Sequence, residues 1–243
     1  MCATLDTPDL KAALRQLKQQ VDEFGPAGLK LHPAFFYDGL AKGWRLDGED
    51  FATPLLQQAE RMGIRHVAIH KAPWLPPAPR DVFEIGDLDT PMTRFPHLSL
   101  EIVHAGVAFV DKTTALMQRH PNLHLPLETL FAYVLAKPDL CGRIVASFIR
   151  HCGNERLLVA AGNNLAHPDR LLQAIATYKL PEELMQKCGV QQLTEQDRAS
   201  ILGLNAARLH GLNAAELLAG VSDHEFSRAR ARGVPPPWSV LRA

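Results

Sequence analysis

The feature that most constrains this chain is a regular alternation of short apolar runs, bounded by turn residues, with longer segments of helical period. A strand that returns parallel to its predecessor needs a crossover of a dozen or more residues, so this alternation is the signature of strand–helix units laid into a parallel sheet. Six runs qualify as strands: Cys2 to Leu5, Gly28 to His32, His66 to Lys71, Ser99 to His104, Asn122 to Leu127 and Arg156 to Ala161. Between the first two, Leu10, Ala13, Leu14, Leu17 and Val21 form the apolar stripe of an amphipathic helix, expected to be capped by Thr7 and to start with Pro8. The same period predicts helices over Thr53 to Arg61, Lys112 to Arg119, Asp139 to Arg150 and Pro168 to Tyr178. After Tyr178 the alternation stops, and Pro181 to Lys187, Glu195 to Leu209 and Ala214 to Leu218 read as further helices.

The expected architecture is therefore an α/β barrel of the TIM type over residues 1–180, with a helical extension over 181–243 packed on the same domain. A complete eight-stranded barrel takes about 250 residues, which 243 residues permit. Six strand–helix units, however, cannot close an eight-stranded barrel at the usual tilt and shear, so the barrel is expected to be incomplete. Open strand edges and an uncovered inner face invite pairing with a second copy of the chain.

Charge narrows the partners. Acidic and basic residues balance at 26 each, and no Lys/Arg cluster interleaved with aromatics is present, which argues against nucleic acid. The sequence has no long uncharged apolar run and no leader-like opening, so no membrane partner is expected. Cys2, Cys141, Cys152 and Cys188 show no CxxC spacing and point to free thiols in a reducing cytoplasm.

Chemistry concentrates at one end of the expected sheet. Connections entering strands are short, whereas two that leave strands are long: Pro33 to Asp50, with Phe36 and Trp44, and Ala72 to about Pro91. In parallel barrels the loops after the strand ends build the binding site. Lys30 and His32 in GLKLHP, His70 in HVAIHKAP and His104 in LEIVHAG all fall at such ends. One histidine there is usually a packing residue, but several at equivalent ends converge on one volume and suit a metal or acid/base site. Glu128, just past the fifth strand, is a further candidate, and the sixth strand ends in Gly162-Asn163-Asn164, where a hydrolytic site would be expected to hold a carboxylate. No Gly-rich phosphate loop, GxSxG elbow, HExxH helix or Cys/His nucleophile pair occurs, which disfavours serine and cysteine hydrolase mechanisms.

As an ordered set, GLKLHP, VAIHKAP, IVHAG, PNLHL, AAGNNLAHP and ILGLNAARLHGL resemble the amidohydrolase-related family over roughly Cys2 to Leu212. The resemblance implies a (β/α)₈ scaffold whose members are metal-dependent hydrolases or nonoxidative decarboxylases of aromatic and related carboxylic acids. It implies a metal-ligand role for His70 and a catalytic role for His104, with Asn164 at the metal position where the family carries aspartate. The implied cofactor is a divalent metal, zinc or alternatively manganese, unless the site has lost it. The family's first strand, with its HxH or ExH ligand pair, has no counterpart here. The expectation is a metal-dependent hydrolase acting on a small organic substrate held by Lys30, His32, Phe36, Trp44 and Glu128. The alternatives are decarboxylation on the same scaffold, or a catalytically incomplete relative with only a binding role.

Overall fold

The computed structural model describes residues 2–5, 7–37, 40–71, 74, 76–104, 107–161 and 168–233, without the side chains of 35–37, 40, 41, 129, 131 and 132, and it falls into two units, Met1–Pro126 and Leu127–Ala243. In the first unit the strands are β1 (Cys2–Thr4), β2 (Gly28–Leu31), β3 (Ala34–Tyr37), β4 (Leu40–Gly43), β5 (His66–His70), β6 (Ser99–Val103) and β7 (Leu123–Pro126). The helices between them are α1 (Leu10–Phe24), α2 (Ala52–Arg61), α3 (Asp89–Arg94) and α4 (Val110–Arg119).

Strands β1, β2, β5, β6 and β7 pair in that order, all parallel. Side chains alternate across a strand, and the register makes the two faces very different. One face is wholly apolar and buried: Ala3, Leu29, Val67, Leu100 and Leu123, then Leu31, Ile69, Ile102 and Leu125. The other carries the ionisable residues, with Lys30, Ala68, Glu101 and His124 opposite one another along one row. Burying an apolar face this complete sets which way the sheet turns its chemistry, because a one-residue slip would exchange the two faces.

Helix α1 buries Ala13 and Leu17 and packs on α2, which buries Ala52, Leu55, Leu56 and Ala59. Its cap is Asp9 rather than the expected Thr7: the Asp9 carboxylate accepts from Ala12 N–H at 2.7 Å. An N-cap must stand one residue before the first helical position to reach the N–H of the third, and Thr7 is two residues too early; its hydroxyl accepts from Asp9 N–H instead. Gly25 closes the helix in the left-handed conformation that glycine adopts without penalty (φ 52°). On β1, the Gln20 side-chain amide bonds both the N–H and the C=O of Thr4, at 3.0 and 2.7 Å.

The first long loop contains an unforeseen antiparallel hairpin, β3 with β4, in register Tyr37 to Leu40. Its sequence signal, Asp38-Gly39 between apolar residues, is that of a two-residue hairpin connection. The second long loop condenses into short 3₁₀ turns at Asp81–Phe83 and Gly86–Leu88, followed by α3.

The second unit holds α5 (Glu128–Ala136), α6 (Pro138–Cys152), the chain's sixth strand of the main series β8 (Leu157–Leu158), α7 (Pro168–Thr177), α8 (Glu182–Cys188), α9 (Glu195–Ala199), α10 (Asn205–Leu209), α11 (Ala214–Val221) and α12 (Glu225–Ala231). All six expected strands are thus present. The helix expected over Glu195 to Leu209 is interrupted by a π-helical turn at Ser200–Leu204. There Ile201 C=O is drawn onto Val159 N–H, while the buried Asn205 amide donates to the carbonyls of Asn154 (2.7 Å) and Leu157 (2.9 Å). Serving β8 in this way competes with the regular helical ladder. No described helix is long and apolar enough to cross a membrane.

A histidine cluster at the strand ends

Because β2 and β5 run parallel with Leu31 beside Ile69, His32 and His70 emerge at one level, whereas on β6 it is Val103 that pairs with His70, so His104 stands one residue further on and joins them at a backbone turned to positive φ. His32 follows β2, His70 closes β5, and His104 follows β6. The His32 and His70 rings stack at 5.2 Å between centroids, and the His104 ring meets His70 edge-on at 4.7 Å. His104 Nε2 lies 3.3 Å from His70 Nδ1, a contact that needs one proton between the two nitrogens. The convergence inferred from the sequence is therefore present in space.

His70 is the centre of the group. Phe83 packs edge-on to it at 6.1 Å, and its buried Nε2 has no hydrogen-bond partner among the described residues. Burial, then His104, His32 and Lys30, hold its imidazole well down, at about 4, so it is neutral at ordinary pH. His32, although exposed, is also lowered, first by partial desolvation and then by Lys30 and His104. His104 adopts φ 72°. That conformation costs a non-glycine residue on the order of 1–2 kcal/mol and is one that histidine enters more often than most. Strain of this sort is commonly kept where a side chain must be aimed.

With the proton on His70 Nδ1, its Nε2 carries a bare lone pair, which is what a divalent metal requires of imidazole. The residues therefore fit one metal ligand. Among the described residues no three His, Cys, Asp or Glu side chains gather into a metal-holding set.

The other candidates are distributed differently. Lys30 is half-buried in β2, on the same face as His70. Trp44 packs on Phe51, 4.9 Å between centroids, rather than on the histidines. The Phe36 side chain and Asn164 lie outside the described residues. Glu128 is the first residue of α5, in the second unit, where a carboxylate suits the positive end of the helix dipole.

Sequence reasoning passed over a second group at this end of the sheet. Lys71, directly after His70, and Asp87 are both 0% exposed and pair at 2.7 Å. Lys71 Nζ also donates to Val82 C=O (2.9 Å), and the same Asp87 oxygen accepts from Leu46 N–H (2.9 Å). Burial pushes the ammonium down and the carboxyl up, while each partner draws the other back toward its charged form. A charge next to an apolar strand end was the available signal for Lys71; nothing local marks Asp87. Glu101, a charge at an alternate position of the SLEIV strand, was legible and missed.

Parallel strand–helix units with ionisable residues gathered at the C-terminal ends of the strands define the class: an incomplete α/β barrel of the TIM type. The pattern of the amidohydrolase family matches residues 1–212, and the chain belongs to that family. No curated protein matches it. Among solved structures it is similar to an uncharacterised TIM-barrel protein from Bordetella bronchiseptica, at 18% identity and TM-score 0.58, over 86% of this chain and 65% of that one. It is also similar to a 2,6-dihydroxybenzoate decarboxylase from Rhizobium (16%, TM-score 0.58, 86% and 70%). A dihydroxybenzoic acid decarboxylase from Polaromonas with bound manganese matches at 16% and TM-score 0.57, over 86% and 68%. These likenesses are of fold, and the chain spans about two thirds of the length of the structures it matches.

Proposed function

We propose that this chain contributes to a metal-dependent hydrolytic site for a small organic substrate. His70 would hold the metal through Nε2, with Asn164 as the further expected ligand by resemblance, and His104 would be the acid/base. The observation that carries the reading is the buried Nε2 of a neutral His70, without a hydrogen-bond partner among the described residues and set against a His104 at positive φ. A divalent ion bound there, zinc or manganese, would supply Lewis acidity. With His70 Nδ1–H donating to His104 Nε2 at 3.3 Å, that nitrogen is engaged, and proton exchange with the substrate would fall to His104 Nδ1. Lys30 and His32 would meet the substrate, since both lie beside the cluster and electrostatically influence its centre.

Decarboxylation of a carboxylic acid is the second reading, favoured by one observation. Lys30, on the same face as His70, lowers both His32 and His70, and a cation there would suit an anionic substrate. The decarboxylase activities in the names of the Rhizobium and Polaromonas structures belong to those proteins and are compatible with the same scaffold.

Equilibrium dialysis against Zn²⁺ and Mn²⁺ followed by elemental analysis tests the proposal. The wild-type chain should retain metal, His70→Ala should lose it, and Asn164→Asp should bind it more tightly. Equal retention by wild type and His70→Ala would overturn the assignment. Release of CO₂ from aromatic carboxylates, with none of the hydrolytic products, would move the reading to decarboxylation.

A further inference from the structure

We propose that Lys71 and Asp87 are positioning residues for the His70 imidazole, acting through the turn that carries Val82 and Phe83. The functional meaning of this rests on His70 being a metal ligand, but the positioning itself does not.

Strand alternation continues one residue past β5: Ile69 and Lys71 are fully buried while His70 between them faces the histidine cluster. A lysine in such a place costs several kcal/mol in lost hydration unless its partners recover it, so it marks a fixed arrangement. Its ammonium clasps two segments of the second long loop at once, the Val82 carbonyl and the Asp87 carboxylate. Asp87 in turn holds Leu46, in the first long loop, through the backbone N–H. Three separate stretches of chain are thereby tied to the residue next to His70. The turn so fixed buries Val82 and Phe83 against Ala78 and Ala34, and a Cβ on Gly43 would stand 2.6 Å from Val82 Cγ1, so there is little room to slide. Phe83, adjacent to the clasped carbonyl, is the ring that meets His70 edge-on. The clasp therefore restricts the plane in which the imidazole can lie, and with it the direction of the Nε2 lone pair.

The test compares wild type with Lys71→Met/Asp87→Leu, which keeps the buried volume and removes the clasp. Histidine- and phenylalanine-labelled protein is studied by NMR, with His70 assigned through His70→Gln, and Co²⁺ binding is titrated alongside. Wild type should show a Phe83–His70 ring cross-peak. The double variant, with unchanged far-ultraviolet circular dichroism, should lose it and bind Co²⁺ at least about tenfold more weakly, as expected when a group orienting a ligand is removed. If the double variant does not fold, Asp87→Asn, which keeps an acceptor for Leu46 N–H, should weaken both signals in the same direction. Lys112→Ala breaks an exposed ion pair to Glu84 on the same loop and should change neither. An unchanged cross-peak in a folded variant overturns the proposal, as does an equal effect from Lys112→Ala, whereas a lost cross-peak with undiminished Co²⁺ affinity supports the positioning and overturns His70 as the Co²⁺ ligand. If wild type binds no Co²⁺ while the cross-peak still disappears on removing the clasp, positioning stands and the metal reading of His70 falls.

Discussion

Replacing Lys71 by Met leaves the buried Asp87, among the described residues, with Leu46 N–H as its remaining hydrogen bond and one carboxylate oxygen already unpartnered. Breaking a buried pair by removing one member costs about 3–5 kcal/mol, because the survivor is a charge without water or partner. At about 2–4 °C per kcal/mol for a chain of this size, the midpoint of thermal unfolding should fall by roughly 6–20 °C. The loss has a definite pH dependence. Burial already holds the Asp87 carboxyl above its ordinary value, and removing the ammonium raises it further. Between the carboxyl's unfolded value of about 3.9 and its raised folded value, the folded variant keeps a proton that the unfolded chain has released. Its stability therefore falls as pH rises above about 4, by up to about 1.4 kcal/mol per pH unit, and the penalty disappears below that. Urea unfolding at pH 4, 5.5 and 7, followed by circular dichroism, measures it. Lys71→Met/Asp87→Leu should recover most of the stability, since an apolar pair of similar volume often replaces a buried ion pair at little cost. A single variant within 1 kcal/mol of wild type, or a penalty that does not change with pH, would refute the reasoning.

Other consequences are simpler to read. His70 should stay neutral on NMR titration until pH approaches about 4; because its unfolded value is near 6.5, the stability it contributes is full above that and declines as pH falls toward 4, and a ring that charges near 6.5 would contradict its burial. At His104 the usual order should invert: with φ at 72°, His104→Gly should be more stable than His104→Ala by about 1 kcal/mol in chemical denaturation. Gly28→Ala should cost about 1–3 kcal/mol, because the new Cβ would stand 2.9 Å from the His66 carbonyl oxygen, a backbone atom with nowhere to retreat; unchanged urea unfolding would show that β2 and β5 can part.

Much of the fold was legible because it is written in local period. The six strand runs and the main helices follow from alternation and 3.6-residue spacing, and the level placing of His32 and His70 follows from register once the strands are parallel. What was misread was decided by neighbours. Thr7 and Asp9 are both good caps in isolation, and only the position of Leu10 as first helical residue selects Asp9. The helix expected over Glu195 to Leu209 has unbroken helical composition, and its π turn reflects the pull of Asn205 and Ile201 on the β8 segment, some fifty residues earlier. The hairpin at Ala34–Tyr37 and Leu40–Gly43 had its signal in Asp38-Gly39, which an emphasis on loop aromatics overlooked.

By itself the sequence determined that this chain makes parallel strand–helix units with histidines at the ends of neighbouring strands, because periodicity is a property of neighbouring residues. Only the tertiary structure decided that His70 is neutral and braced by Phe83, that His104 is held at positive φ, and that Lys71 finds Asp87 sixteen residues away. Those outcomes depend on which groups are shut away from water and on what stands beside them, and desolvation and long-range pairing leave no mark on the local pattern of the chain.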